Sequence, residues 1–129
     1  MKGTNEWPRF ARDDFEALLL IEHSDLYRPL CFHAHQLAEK ILKAAIFEQG
    51  ISVPRIHDLV ALYQKANMPA SVEPADLQFL SSVYIETRYP SEVGLLPHGE
   101  PGRDDANRAI RIARTIYGTV LARFAEHKE

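Results

Sequence analysis

The sequence lacks the features that mark secreted, membrane-spanning and generally basic nucleic-acid-binding proteins. It has one cysteine in 129 residues, which excludes an internal disulfide and a cysteine-rich zinc site. No apolar run approaches the roughly 18–20 residues that cross a bilayer. Because residues 1–6 lead directly into an amphipathic pattern, we expect no signal peptide. The formal net charge is −3, so a generally basic surface is absent. We therefore expect a cytoplasmic protein without membrane contact, in which Cys31 is a small buried apolar residue.

A helical pattern is present along most of the chain, without strand alternation, internal repeats or low-complexity segments. Apolar residues recur three and four positions apart over 6–23, 29–47, 74–89 and 103–124, and a short helix is predicted over 57–66. The length suits one domain spanning 1–129. The sequence therefore predicts an all-α fold, an up-and-down four-helix bundle with one extra short helix.

The helix over 29–47 is expected to be central. Its apolar face consists of Leu30, Ala34, Leu37, Ala38, Ile41 and Ala45. Gly50 follows and should stop the helix. A second face carries His33, Gln36, Lys40 and Lys43. There are two interpretations of this face. It binds phosphate, or it is a solvated face whose lysines pair with carboxylates such as Glu39. His33 and His35 lie on different faces and make a poor metal site, so we expect no metal and no other cofactor.

Capping residues, prolines and glycines predict where the other helices begin and end. Asp58 should satisfy free backbone amides at the start of the short helix. His57 is then a helix-start residue, or it lines the same cleft as Arg88. Pro90 should end the fourth helix, because the residue before a proline avoids the helical region. Glycines and prolines are concentrated in 91–102, which is the predicted loop or lid.

Three segments of the chain occur in a characteristic order. They are the helix over 33–43, the segment Arg55-Ile56-His57-Asp58-Leu59, and the segment Tyr84-Ile85-Glu86-Thr87-Arg88-Tyr89-Pro90. Together with the opening over 7–17 and the start of the last helix at Asp105-Ala106, they resemble the HEPN family (higher eukaryote and prokaryote nucleotide-binding domains), in its MNT-associated and sacsin-like subgroup. The resemblance implies an all-α bundle, usually homodimeric. It also implies nucleotide binding or metal-independent RNA cleavage, in many bacterial members as a toxin–antitoxin pair with a minimal nucleotidyltransferase (MNT).

The nuclease members of that family carry an Arg, a spacer of four to six residues, and a His before the last helix. Arg88 occupies the Arg position, but no His follows at that spacing, and the next one is His98 in the predicted loop. If the loop folds back, His98 would be a general base on a ribose hydroxyl, with Arg88 stabilising the phosphorane charge. The alternative is a solvent-exposed loop histidine. The short-spaced motif is not intact, so enzymatic activity stays open.

Arg88 and Tyr89 form the sharpest candidate site. The Arg88 guanidinium would bind a phosphate, while Tyr89 would stack on a base or ribose. The structural alternative is that Arg88 fixes the loop through carbonyls or Glu86, and that Tyr89 packs on the bundle. The last helix also carries four arginines, for which RNA-backbone contact and a solvated surface are both open. They are Arg103, Arg108, Arg111 and Arg114.

Three functions follow from these alternatives. The first is a nucleotide- or RNA-binding module that acts with an MNT-type nucleotidyltransferase. The second is a ribonuclease toxin that uses Arg88 and His98. The third is a non-catalytic homodimeric scaffold for protein interactions. A homodimer is expected in addition because Trp7, Phe10 and Phe47 would have little internal cover in so short a chain.

Overall fold

The computed structural model describes residues 3–88 and 100–126, with side chains for 3–84 and 100–126. In this part of the chain it contains five α-helices and no strand. They are α1 (Trp7–Ile21), α2 (Tyr27–Glu48), α3 (Leu59–Lys65), α4 (Pro74–Arg88) and α5 (Arg103–Glu126). The predicted bundle of four long helices and one short helix is confirmed.

The helix boundaries differ from the prediction by a few residues. α2 begins at Tyr27, ahead of the predicted start at Pro29, which therefore lies inside the first turn. α5 continues past the predicted end at 124. The expected stop at Pro90 and most of the predicted loop, 91–99, lie outside the described residues.

Two local signals act as the sequence predicts. The Asp58 carboxylate accepts hydrogen bonds from the backbone amides of Val60 and Ala61, at 3.0 and 3.4 Å, and so caps α3. Gly50 has φ +77°, a left-handed conformation that favours glycine, and it follows the last turn of α2. These caps fix where α2 ends and α3 begins, and with them the position of the connecting segment.

α2 is the centre of the bundle, since it contacts each of the other four helices. Its predicted apolar face is entirely buried, and Cys31 is buried beside it. Burial raises the pKa of the Cys31 thiol to about 12, so this residue behaves as an apolar group. The buried stripe of α5 consists of Ala106, Ala109, Ile110, Ile112, Ala113, Ile116 and Val120, while Tyr117 and Phe124 are only half-buried.

The most exposed apolar side chains of α1 lie near its end, and not at the aromatic residues for which exposure was expected. Trp7 and Phe47 are half-buried, and Phe10 is 37% exposed. The largest exposures on α1 are at Leu20, with 86%, and Leu19, with 49%. A periodic pattern alone does not reveal this, because both leucines continue an apolar run near the end of the helix. Among the described helices, none is long and apolar enough to cross a membrane.

Candidate functional site

Ionisable side chains of α2 form two groups that face different neighbours. The Asp14 cluster comprises Asp14 of α1 with His33 and Lys40 of α2. The Glu39 cluster comprises His35, Glu39 and Lys43 of α2, His57 ahead of α3, and Tyr84 of α4. The single polar face expected from the sequence is therefore divided between two interfaces.

The Asp14 cluster is a closed set of contacts. Asp14 is buried, and each of its carboxylate oxygens has one partner. His33 Nδ1 lies 2.8 Å from Oδ1, and Lys40 Nζ donates to Oδ2 at 2.7 Å. His33 and Lys40 both stay partly exposed, which keeps their polar ends close to water. Charge and hydrogen bonding balance here, as a structural contact between α1 and α2 requires.

The Glu39 cluster is centred on one buried carboxylate. Lys43 Nζ donates to Glu39 Oε2 at 2.9 Å, and both of these side chains are buried. His57 Nδ1 lies 3.0 Å from each oxygen of Glu39. Burial alone would raise the pKa of Glu39, but hydrogen bonds from Lys43 and His57 outweigh it and lower that pKa below its ordinary value. Glu39 is therefore a fixed negative charge.

His35 is the one member of the Glu39 cluster that is buried without hydrogen bonds. Its side chain is 0% exposed, and neither ring nitrogen has a hydrogen bond of normal geometry in the described part of the chain, although the backbone of His57 lies close enough to favour the protonated ring. Glu39 Oε1 lies 3.6 Å from Nδ1, which is too far for a hydrogen bond. Burial lowers the pKa of His35 to about 4, so the ring is neutral at physiological pH. Tyr84 stacks on it with ring centroids 4.0 Å apart.

A cavity of about 530 Å³ adjoins the Glu39 cluster between α2, α3 and α4. Its lining residues are His35, His57, Asp58, Val60, Gln78, Ser81, Ser82 and Tyr84. The wall thus combines aromatic rings, hydroxyl and amide groups and a carboxylate, and its size is typical of small-molecule sites. This cavity includes members of the Glu39 cluster and none of the Asp14 cluster among its described lining residues.

The structure brings some of the predicted site residues together and separates others. His57 lines the cavity, while the predicted cleft shared with Arg88 involves a side chain outside the described part of the chain. Lys43 pairs with Glu39, whereas Lys40 and His33 contact Asp14, so neither lysine is an unpaired cation. Along α4, Arg88 follows Tyr84 by four residues, but its side chain lies outside the described part of the chain. Tyr89 and His98 lie outside it entirely.

The arginines of α5 are mostly engaged within the fold. Arg103 donates to the backbone carbonyls of Glu22, at 3.2 Å, and Ser24, and it lies over the ring of Tyr27. Arg108 and Arg114 contact the carboxylates of Asp76, at 2.9 Å, and Glu22, at 2.7 Å. Arg111 is exposed. Contacts within the fold therefore account for Arg103, Arg108 and Arg114 without an RNA ligand.

Sequence reasoning missed the roles of three residues: Asp14, His35 and Tyr84. A signal existed for two of them. Asp14 lies three positions after Ala11 and four before Leu18, on the buried stripe of α1, where an unpaired carboxylate is costly. His35 likewise lies four positions after buried Cys31. Across residues 3–88 and 100–126, no group of three or more His, Cys, Asp or Glu side chains has the arrangement to hold a metal ion.

Comparisons with known proteins identify one family and two similar solved structures. The model of the HEPN domain matches residues 4–124. The fold is similar to the crystal structure of TT1696 from Thermus thermophilus, with a TM-score of 0.72 and 26% identity, covering 92% of this chain and 98% of that one. It is also similar to ST0689, an archaeal HEPN homologue, with a TM-score of 0.66 and 26% identity, covering 95% and 98%. No curated protein matches the chain.

Proposed function

Since the chain belongs to the HEPN domain family, we propose that it binds a nucleotide or RNA and acts with an MNT-type nucleotidyltransferase in the cytoplasm. The observation that carries the binding proposal is the cavity between α2, α3 and α4 with the buried, unpartnered His35 in its wall. Cavities with a few polar groups and a titratable group of shifted pKa are the usual places for ligands.

Arg88 is the proposed phosphate anchor of this site. It occupies the Arg position of the family pattern and follows Tyr84, a cavity residue, by one turn of α4. A guanidinium presents a planar fork to two phosphate oxygens, which the single ammonium of lysine does not reproduce. Tyr89, the next residue, is proposed to stack on the base or ribose.

Titration of ATP, GTP and a short RNA into wild type and Arg88 variants tests this function. Arg88→Ala and Arg88→Lys should both weaken binding by about 1.5–3 kcal/mol, the usual contribution of a hydrogen bond to a charged group. His98→Ala is the matched control and should bind as wild type does. If Arg88→Ala also binds like wild type, Arg88 is not the anchor. If none of the three ligands binds wild type, the binding function is wrong and the scaffold alternative takes its place.

The same samples test the ribonuclease alternative. RNA incubated with wild type and with His98→Ala should remain intact in both, because the short-spaced Arg and His pattern is absent. RNA cleavage by wild type that His98→Ala abolishes would establish the ribonuclease function instead.

A homodimer is also proposed, with its contact at a groove between α1 and α5. Leu19, Leu20 and Phe15 of α1 and Tyr117 of α5 line this groove. An isologous two-fold contact is the commonest way to cover such a patch. Wild type should sediment as a dimer at micromolar concentration and Leu20→Glu as a monomer, with Asp13→Asn, at an exposed residue of α1 outside the groove lining, as the control. A wild type that sediments only as a monomer would contradict the proposal.

The nucleotidyltransferase partner has its own test. An open reading frame next to this chain's gene should encode a protein with the Gly-Ser and paired-Asp motif of minimal nucleotidyltransferases. Co-expression with a tag on that protein should co-purify this chain at a fixed stoichiometry. Absence of the neighbouring gene, or of a complex, would remove the partner and leave the binding site unaffected.

A further inference from the structure

We infer that the cavity between α2, α3 and α4 is a base-binding pocket, which takes an amino-bearing heteroaromatic ring such as adenine or cytosine against His35, His57 and Tyr84. This inference rests on the proposed function and specifies which part of the nucleotide the cavity holds. The phosphate would lie outside it, toward the proposed anchor at Arg88.

The first argument is the charge of the cavity wall. Asp58 is part of the lining, and the Glu39 carboxylate lies directly behind His57, where Lys43 already neutralises it. Apart from the neutral His35, His57 is the only basic side chain among the described lining residues, and its Nδ1 faces Glu39. A phosphate placed here would meet the Asp58 carboxylate and no unpaired lysine or arginine among these residues. A neutral ring avoids that repulsion.

The second argument is the shape of the wall. Tyr84 lies between rings, stacked on His35 at 4.0 Å and tilted against His57 at 5.7 Å between centroids. Val60 adds an apolar side chain to the same cavity. Flat aromatic walls favour flat ligands, and stacking on them tolerates any nucleobase. Shape alone therefore points to a base without choosing among bases.

The choice among bases comes from His35. The nearby Glu39 carboxylate favours the tautomer that carries its hydrogen on Nδ1, since the two atoms are 3.6 Å apart. Nε2 then has an unshared electron pair, and no donor within the described residues reaches it. Nε2 is covered in the structure, and the stacked Tyr84 ring lies over His35. An exocyclic amino group would supply the missing donor once Tyr84 turns aside to admit the base. A carbonyl in the same place would leave Nε2 unsatisfied, which is costly in a buried position.

Adenosine and inosine form the test, because inosine has a carbonyl in place of the exocyclic amino group, with a hydrogen on the neighbouring ring nitrogen N1. Adenosine, which has no phosphate, should bind wild type in calorimetry. Inosine should bind at least tenfold more weakly, since a site built to accept a hydrogen bond rejects the analogue that lacks the donor. His35→Leu should weaken adenosine binding at least tenfold while melting no lower than wild type, because it removes two buried polar atoms without partners.

Ser82→Phe is a second variant that does not alter the core. Ser82 is half-buried in the cavity wall, and a ring there would fill the space. Ser82→Phe should abolish adenosine binding, whereas Thr115→Phe, at an exposed position of α5, should not. If ATP binds and adenosine does not, the site recognises phosphate, so this inference is wrong while the proposed function stands. Equal affinity for inosine, or wild-type binding by His35→Leu and Ser82→Phe, would also overturn it.

Discussion

The two ionisable clusters of α2 use the same residue types and differ in one respect. In the Asp14 cluster, His33 and Lys40 each contact a carboxylate oxygen, and every member has a partner. In the Glu39 cluster, the carboxylate is equally well paired, but His35 is completely buried and neither of its ring nitrogens is hydrogen-bonded within the described chain. The cavity between α2, α3 and α4 adjoins this second cluster.

This difference is the reason for proposing the ligand site at the Glu39 cluster. Buried polar atoms are nearly always hydrogen-bonded, because an unsatisfied one costs roughly 1–3 kcal/mol. The Asp14 cluster follows that rule and needs no function to explain it. His35 departs from the rule at the edge of a cavity, where a ligand would supply the missing bond. Unsatisfied groups of this kind are expected where stability is given up for binding.

The largest expected effect removes both clusters at once. Leu37 is completely buried on the inner face of α2, the helix that both clusters share. Leu37→Asp places an unpaired charge in the core and should destabilise the protein by at least about 4 kcal/mol, close to the whole stability of a small domain. Circular dichroism melts check this, with the half-buried Gln36→Asp as control. A wild-type melting temperature for Leu37→Asp would mean that the register of α2 is wrong.

The next largest effect concerns pH and acts through His35 alone. Because burial lowers the pKa of His35 to about 4, the unfolded chain binds a proton more readily than the folded chain between pH 6.5 and 4. Stability should therefore fall as the pH drops through this window, by about 3 kcal/mol if the shift is fully expressed. Glu39, whose pKa is lowered, adds a loss in the same direction only below about pH 4.5.

Urea denaturation at pH 7.5, 6.5 and 5 measures this slope. His35→Leu should lose most of it, while His23→Leu, at a side chain that is 95% exposed, should keep it. His33 belongs to the Asp14 cluster and remains in both variants, as does His57. If the slope of stability against pH is unchanged in His35→Leu, another group causes the acid sensitivity. The two clusters would then not differ in their response to pH.

A smaller effect is expected at the Asp14 cluster. Asp14→Ala leaves His33 and Lys40 without their carboxylate, but both are partly exposed and can turn to water. The cost should be about 1–2 kcal/mol. Asp13→Ala, the exposed neighbour, should change stability by less than about 0.5 kcal/mol. Adenosine affinity should be the same in both variants, and a loss in Asp14→Ala as large as that in His35→Leu would remove the distinction between the clusters.

Much of the fold could be predicted from the sequence, since apolar spacing and a few turn residues determine it. The buried face of α2, the Asp58 cap and the left-handed Gly50 are confirmed because each depends on residues close in sequence. α2 starts at Tyr27, earlier than predicted, because Pro29 is tolerated anywhere in the first turn and does not mark its first residue.

The candidate site was less accessible to such reasoning, because its contacts join distant positions. The pair of Glu39 and Lys43 is four residues apart on one helix, and the sequence allowed for it. Glu39 with His57 and Asp14 with Lys40 are separated by 18 and 26 residues, so only the packed bundle brings them together. Assigning charged residues to the surface by default also concealed that Asp14, Glu39 and Lys43 are buried.

The most direct test of the central claim maps where a base binds. Amide chemical shifts of the ¹⁵N-labelled protein, recorded during an adenosine titration, should move at His35, His57, Ser81 and Ser82, which surround the cavity. Those of Asp14 and Lys40, in the Asp14 cluster, should stay in place. Shifts centred on Asp14 and Lys40, or no shifts at saturating adenosine, would contradict the assignment of the ligand site to the Glu39 cluster.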